Sequence, residues 1–165
     1  KGLVDGDNDI IFCASPSNEQ LEYASSKGVE LNLTPIGKEA FVFLLNAKNT
    51  INSLTQEEIK DIYSGKVTNW KQVGGDNRIV CPLSRNENSG SQTTMEKFMG
   101  DKKIVKPNYL SLLGQSIGFS FRYYVENLNS SSKVKMISVD NMFPNKENIR
   151  NGNYPIVSNF YIVTR

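Results

Sequence analysis

Two helix-start signatures constrain the fold of this chain more than anything else in it. Ser17 stands three residues before Gln20, and Thr55 three before Glu58. At that spacing the hydroxyl accepts the N3 backbone N–H while the N3 side chain reaches back to the cap N–H, so two otherwise unpaired donors are met together. Gly28 and Gly65 follow where a helix end favours a left-handed residue. Short apolar runs at 9–14, 29–33, 40–45 and 79–83 separate these helices and read as strands. Further strands are expected at 117–119, 134–139 and 156–163, and further helices at 89–99 and 122–127. Three serines at 130–132 read as a polar linker. Capped helices alternating with short apolar strands predict an α/β domain.

The junction between the strand at 79–83 and the helix at 89–99 carries the chemistry. It reads Arg85-Asn86-Glu87-Asn88-Ser89-Gly90-Ser91-Gln92-Thr93-Thr94. The first turn of a helix leaves backbone N–H groups unpartnered, and the macrodipole favours negative charge there. Gly90 lets a ligand approach the backbone, and Arg85 offers a planar fork of donors matched to phosphate or carboxylate oxygens. Ser89 can be the N-cap, a ligand contact or both, and Ser91 adds a second hydroxyl. Thr93 and Thr94 read as ordinary first-turn residues. On local sequence alone Arg85 fits a surface ion pair equally well. Arg85, Ser89, Gly90 and Ser91 are the candidate oxyanion-binding residues.

Together with four other segments, this loop carries a family resemblance. It is similar to the phosphate-contacting loop of the solute receptors of phosphate ABC transporters, which are periplasmic-binding-protein-like, type II. Thr34-Pro35-Ile36-Gly37-Lys38-Glu39-Ala40-Phe41-Val42-Phe43 and Ile59-Lys60-Asp61-Ile62-Tyr63-Ser64-Gly65-Lys66-Val67-Thr68-Asn69-Trp70 continue it. Ile117-Gly118-Phe119-Ser120 and Ile149-Arg150-Asn151-Gly152-Asn153-Tyr154-Pro155 complete it in the same order. The resemblance implies a three-layer α/β/α lobe with a mixed sheet. Residues 1–35 would be a remnant of a first lobe and the entry to a crossing strand. Residues 36–154 would form the second, middle lobe carrying the anion loop, and 155–165 the return crossing strand. Receptors of this kind also have an Asp-Gly-Ser-Thr-like loop and a closing helix, neither of which is found here. The chain is therefore expected to be the middle of a longer receptor.

The function that the resemblance implies is binding without turnover. Two lobes would close on inorganic phosphate or a similar oxyanion, and the closed form would dock on a membrane permease. The expected location is outside the cytoplasmic membrane, at the cell surface or in the periplasm, with the full-length protein held by a lipid anchor. Ser89 and Ser91 would donate hydroxyl protons, and Gly90 and Ser91 backbone N–H groups. Glu87, where the family more often has aspartate, would hold Arg85 in place. Those receptors also carry an aspartate just after a Phe-Gly-Ala-Ser-like strand, which accepts a proton from the bound phosphate. Here Phe12-Cys13-Ala14-Ser15-Pro16 places proline there, which leaves the choice of oxyanion open. Each hydrogen bond to a charged group is worth on the order of 1.5–3 kcal/mol. Losing two or three with a missing lobe would weaken binding roughly 10³-fold, so a lone lobe is expected to bind weakly. First-lobe strands near 10–14 and 156–163 are expected to be unpaired and to favour a dimer. The alternative is a non-transport oxyanion-sensing or surface interaction module on the same fold, for which Pro16 is the best support.

Other functions find little in the sequence. A formal charge of +2 is too mild to indicate nucleic acid. Without histidine there is no Ser-His-Asp chemistry, and two distant cysteines give no zinc spacing. Ser130-Ser131-Ser132-Lys133 matches Ser-x-x-Lys but lacks its companion motifs. Asp5-Gly6-Asp7-Asn8-Asp9 opens like a calcium loop, yet Ile10 and Pro16 occupy the places of its glycine and glutamate. No cofactor or metal is expected, and an enzyme acting on phosphate esters is the least supported reading. Cys13 and Cys81 read as two buried thiols rather than a disulfide. Trp70 reads as core, and Tyr123 and Tyr124 as split between core and surface. No apolar run approaches the roughly 18 residues of a membrane span.

Overall fold

Both capping boxes form. In the computed structural model, which describes residues 1–107, 114–127 and 133–165, Ser17 N–H donates to Gln20 Oε1 at 3.0 Å and Gln20 N–H to Ser17 Oγ at 3.2 Å. Thr55 and Glu58 repeat the exchange at 2.8 and 3.1 Å. The elements run α1 (Gly2–Asp5), β1 (Ile10–Cys13), α2 (Asn18–Ser26), β2 (Asn32–Asn46), β3 (Ser53–Leu54) and α3 (Gln56–Tyr63). After a 3-10 turn at Trp70–Val73 come β4 (Val80–Pro82), α4 (Gly90–Met99), β5 (Gln115–Phe121) and α5 (Arg122–Asn127). β6 (Val134–Met136), β7 (Ser138–Val139), α6 (Lys146–Arg150) and β8 (Val157–Thr164) complete the described chain. The serine linker at 130–132 lies outside the described residues.

The sheet is mixed and is organised by β2. Its strand order is β1-β8-β2-β5-β4, with β6 also paired to β2 and a separate two-stranded β3-β7 sheet. The first half of β2 pairs antiparallel with β8 from Asn32 to Ala40, and the second half with β5 from Phe41 to Leu45. One continuous strand therefore replaces the two expected at 29–33 and 40–45. Pro35-Ile36-Gly37 looks like a break in sequence, but the chain absorbs it as a register shift between Pro35 and Gly37 and keeps pairing. The run expected at 134–139 is divided instead, since β6 joins β2 while β7 runs parallel to β3.

The return strand also differs from expectation. β8 lies between β1 and β2 and is paired on both sides, so 156–163 is not an open edge. β1, with Ile10 and Phe12 exposed, is one edge of this sheet and pairs with β8 alone, while β4 ends the other edge.

The core gathers where β2 and β5 meet α3 and α4. Residues 40–43 of β2 are all buried, as expected for a strand covered on both faces. Phe41 packs against Phe43, Phe119 and Phe121 with ring centroids 5.5, 5.5 and 5.7 Å apart. Tyr154 donates its hydroxyl to Phe41 O at 2.6 Å and closes this cluster from the far end of the chain. Trp70 is fully buried, and its Nε1 donates to Gln115 O at 3.1 Å. Neither cysteine is in a disulfide; Cys81 is buried, whereas Cys13 is only half-buried, because β1 is an edge strand.

Candidate functional site

The anion loop leaves the carboxyl end of β4, which runs parallel to β5. In open α/β sheets that end is where ligands bind. Its root is firmly held. Leu83 N–H donates to Ile117 O at 2.9 Å. The fully buried Tyr63 brings its hydroxyl to 3.1 Å from Leu83 O and 3.2 Å from Ile117 O. Burial raises the Tyr63 pKa well above the usual phenol range, so this hydroxyl stays protonated and donates.

Beyond Leu83 the loop is exposed and turns sharply. Asn88 adopts φ 64°, and Ser89 N–H donates back to Asn86 O at 3.2 Å. Ser89 Oγ then accepts Gln92 N–H at 3.1 Å, which makes Ser89 the N-cap of α4. Ser91, Gln92, Met95 and Met99 form the buried face of that helix. Anchored by the two methionines, the helix directs its first turn at the cavity described below.

Gln92 is a positioning residue that the sequence reading passed over. At N3 after a serine cap it satisfies the capping-box pattern, which was the available signal. Its side chain does something else. Oε1 accepts Arg85 N–H at 3.0 Å, and Nε2 donates to Glu96 Oε1 at 3.2 Å. Being buried itself, Gln92 ties the arginine's backbone to the helix start and fixes the span between the two donor groups.

Arg85, Ser89, Gly90 and Ser91 line one cavity of about 810 Å³. The rest of its lining comes from β1, from the bend of β2, from the end of β5 with α5, and from Phe160 of β8. Phe12, Ile36, Tyr123 and Tyr124 stand exposed around it, so neither tyrosine is core. The expected division between core and surface fails because α5 buries none of its residues. Ser120, a buried hydroxyl on β5, and Lys38 on β2 also face this space and were not singled out from sequence.

Glu87 is exposed and outside the lining, and among the described ion pairs none joins it to Arg85. Pro16 is likewise not a lining residue, although Ala14 is. The lining does include the carboxylate of Glu39. Burial pushes its pKa up against the opposing pull of two backbone N–H groups and of Arg122.

The backbone at Gly90 is not in the left-handed region, and a Cβ built there would lie 3.9 Å from Phe121 Cε2 and 4.0 Å from Ala14 Cβ. Those are ordinary contacts, so the fold itself does not demand glycine at this position. A guanidinium, two hydroxyls and the unpaired N–H groups of a ten-residue helix can hold an oxyanion. Among the described residues no group of three or more His, Cys, Asp or Glu side chains is placed to hold a metal ion. No helix of the described residues is long and apolar enough to cross a membrane.

Comparison with known proteins adds the following. A family model described as PBP superfamily domain matches residues 1–165. The phosphate-binding protein PstS of Borreliella burgdorferi is 29% identical over 150 residues, covering 79% of this chain and 53% of that protein. The phosphate-binding protein PstS of Bacillus subtilis is 26% identical over 170 residues, covering 94% and 52%. The chain thus spans about half the length of the curated relatives it matches. Among solved structures, one from Clostridium perfringens superposes with a TM-score of 0.79 at 23% identity, over 99% of this chain and 69% of that chain. That protein, provisionally described as a phosphate ABC transporter substrate-binding protein, was crystallised with bound phosphate. At such identity the likeness shows a shared fold.

Proposed function

The chain belongs to the PBP superfamily, and from that premise we propose that it cradles inorganic phosphate within an extracytoplasmic solute-binding protein of an ABC transporter. The observation that carries this reading is the convergence of Arg85, Ser89, Gly90 and Ser91 on one cavity at the start of α4. The fold supports it, since a mixed α/β lobe of the type II periplasmic-binding-protein kind places such a loop beyond a strand's carboxyl end. The relatives named phosphate-binding protein support phosphate over other oxyanions.

In this reading residues 36–154 are the second, ligand-binding lobe, 1–35 a remnant of the first lobe with the entry to a crossing strand, and 155–165 the return crossing strand. The antiparallel pairing of β2 with β8 supports that division. Glu87 would hold the Arg85 guanidinium in place through a charge-assisted pair. The partner would be a membrane permease, and the full-length protein would be held at the outer face of the membrane by an anchor. Self-association would run through the exposed edge of β1. The function is capture and release, without turnover.

A calorimetric titration of phosphate into the chain and its Arg85→Ala variant tests the proposal. A guanidinium fork makes two charge-assisted bonds of about 1.5–3 kcal/mol each, so the variant should bind at least a hundredfold more weakly. Equal binding by both proteins would reject the cradle.

A further inference from the structure

The cavity at the start of α4 has room for far more than the anion its donors grip. It spans about 810 Å³, whereas a tetrahedral oxyanion fills about the space of two water molecules, at roughly 30 Å³ each. Cavities of roughly 300–1,000 Å³ take whole organic ligands.

The surplus space is walled by rings. Phe121 and Phe160 line it, as do Phe12, Tyr123 and Tyr124, which are 63%, 62% and 55% exposed. Core packing does not call for the two tyrosines, because α5 buries none of its residues. Among the described ring contacts each of them meets only the other, edge to face at 5.8 Å. Large side chains left exposed together in this way mark a binding surface.

The aromatic wall begins beside the cradle. A Cβ at Gly90 would lie 3.9 Å from Phe121 Cε2, and Tyr123 and Tyr124 follow where β5 passes into α5. A ligand held at α4 by an anionic end therefore lays the rest of itself along these rings. A flat aromatic group gains most there, because rings stack on faces and meet edge to face. The cradle also selects the kind of phosphate. Its guanidinium fork, two hydroxyls and helix N–H groups suit the three free oxygens and nearly double charge of a monoester, which a diester lacks.

Resting on the phosphate reading above, we infer that the cavity takes phosphate monoesters bearing a planar aromatic group, the class to which nucleoside monophosphates belong. The phosphate sits on Arg85 and residues 89–91, and the ring lies against Tyr123 and Tyr124. Inorganic phosphate uses the same cradle without the aromatic wall. The competing role for the wall is contact with another protein surface, in which case an attached ring adds nothing to binding.

Inorganic phosphate, ribose 5-phosphate and adenosine 5′-monophosphate are titrated calorimetrically into the wild type, Arg85→Ala and a double variant, Tyr123→Ala with Tyr124→Ala. The two esters differ by the base. The wild type should bind the adenosine ester at least about fivefold more tightly than the ribose ester, the lower end of what stacking one base on an aromatic side chain contributes. The double variant should lose that advantage, and Arg85→Ala should weaken all three ligands together.

Equal affinities for the two esters in the wild type, with inorganic phosphate bound, overturn the inference and leave the cradle standing. An advantage that survives in the double variant, or adenosine ester binding that survives in Arg85→Ala, also overturns it. A wild type that binds none of the three overturns the phosphate reading and this inference with it. Should the double variant fail to fold, the adenine proton resonances provide a second measurement on the wild type. Ring currents from the tyrosines should move them upfield on binding, and unmoved resonances would overturn the inference.

Discussion

Gly90→Ala separates packing from function at this site, because its effects on stability and on binding should have opposite signs. The new Cβ would meet Phe121 Cε2 at 3.9 Å and Ala14 Cβ at 4.0 Å, both at ordinary van der Waals distance. Gly90 is absent from the positive-φ glycines, so alanine adopts its backbone without strain. Replacing glycine at a compatible position stabilises by about 0.4–1 kcal/mol, because the unfolded chain loses freedom. For a chain of this size that corresponds to a melting temperature raised by about 1–4 °C. Binding should move the other way. The two atoms nearest the added methyl belong to cavity-lining residues, so the methyl stands where an oxyanion would approach the helix N–H groups. Losing one such hydrogen bond costs about 1.5–3 kcal/mol, or roughly a tenfold to hundredfold loss of affinity. Thermal melts and phosphate calorimetry on the same preparation measure both. A variant that melts lower, or that binds phosphate as tightly as the wild type, would refute the argument that ligand approach is what requires glycine here.

Two further outcomes follow from the core and from the cysteines. Tyr154→Phe removes the 2.6 Å hydroxyl bond to Phe41 O inside the aromatic cluster and should cost about 1–3 kcal/mol. In urea the midpoint should fall while the slope stays constant. A thiol reagent should label Cys13, half-buried in the cavity wall, in the native protein and more slowly when phosphate is present. Desolvation raises the Cys13 pKa, so labelling should be sluggish at neutral pH and faster in base. The buried Cys81 should react only on unfolding, and equal rates for the two thiols would contradict the described burial.

The helices were legible in sequence because their signals are local. A serine or threonine three residues before glutamine or glutamate states where a helix begins, and both such boxes form as written. The short helices α1 and α6, of four and five residues, carry no apolar period and escaped notice. Strand pairing depends on partners far along the chain. Nothing near Pro35 tells a break from a register shift; β8, more than a hundred residues away, decides it. For the same reason 134–139 reads as one strand although its two halves join different sheets.

The candidate site divides along similar lines. Arg85, Ser89, Gly90 and Ser91 are contiguous, and their chemistry shows in the sequence. Glu39, Ser120 and the two tyrosines reach the same cavity only through the pairing of β2 with β5. Gln92 lies within the same loop, but its bond to the Arg85 backbone spans seven residues, and in sequence a glutamine three places after a serine signals only capping.

The most direct test of the central claim is a phosphate titration followed by the backbone amide resonances of the 165-residue chain. If the start of α4 is the cradle, the amides of Gly90 and Ser91 should show the largest shifts, with smaller ones at Arg85 and Ser120. The shifts should saturate and should vanish in Arg85→Ala. Saturating shifts confined to other surfaces, with Gly90 and Ser91 unmoved, would place the anion elsewhere and contradict the account.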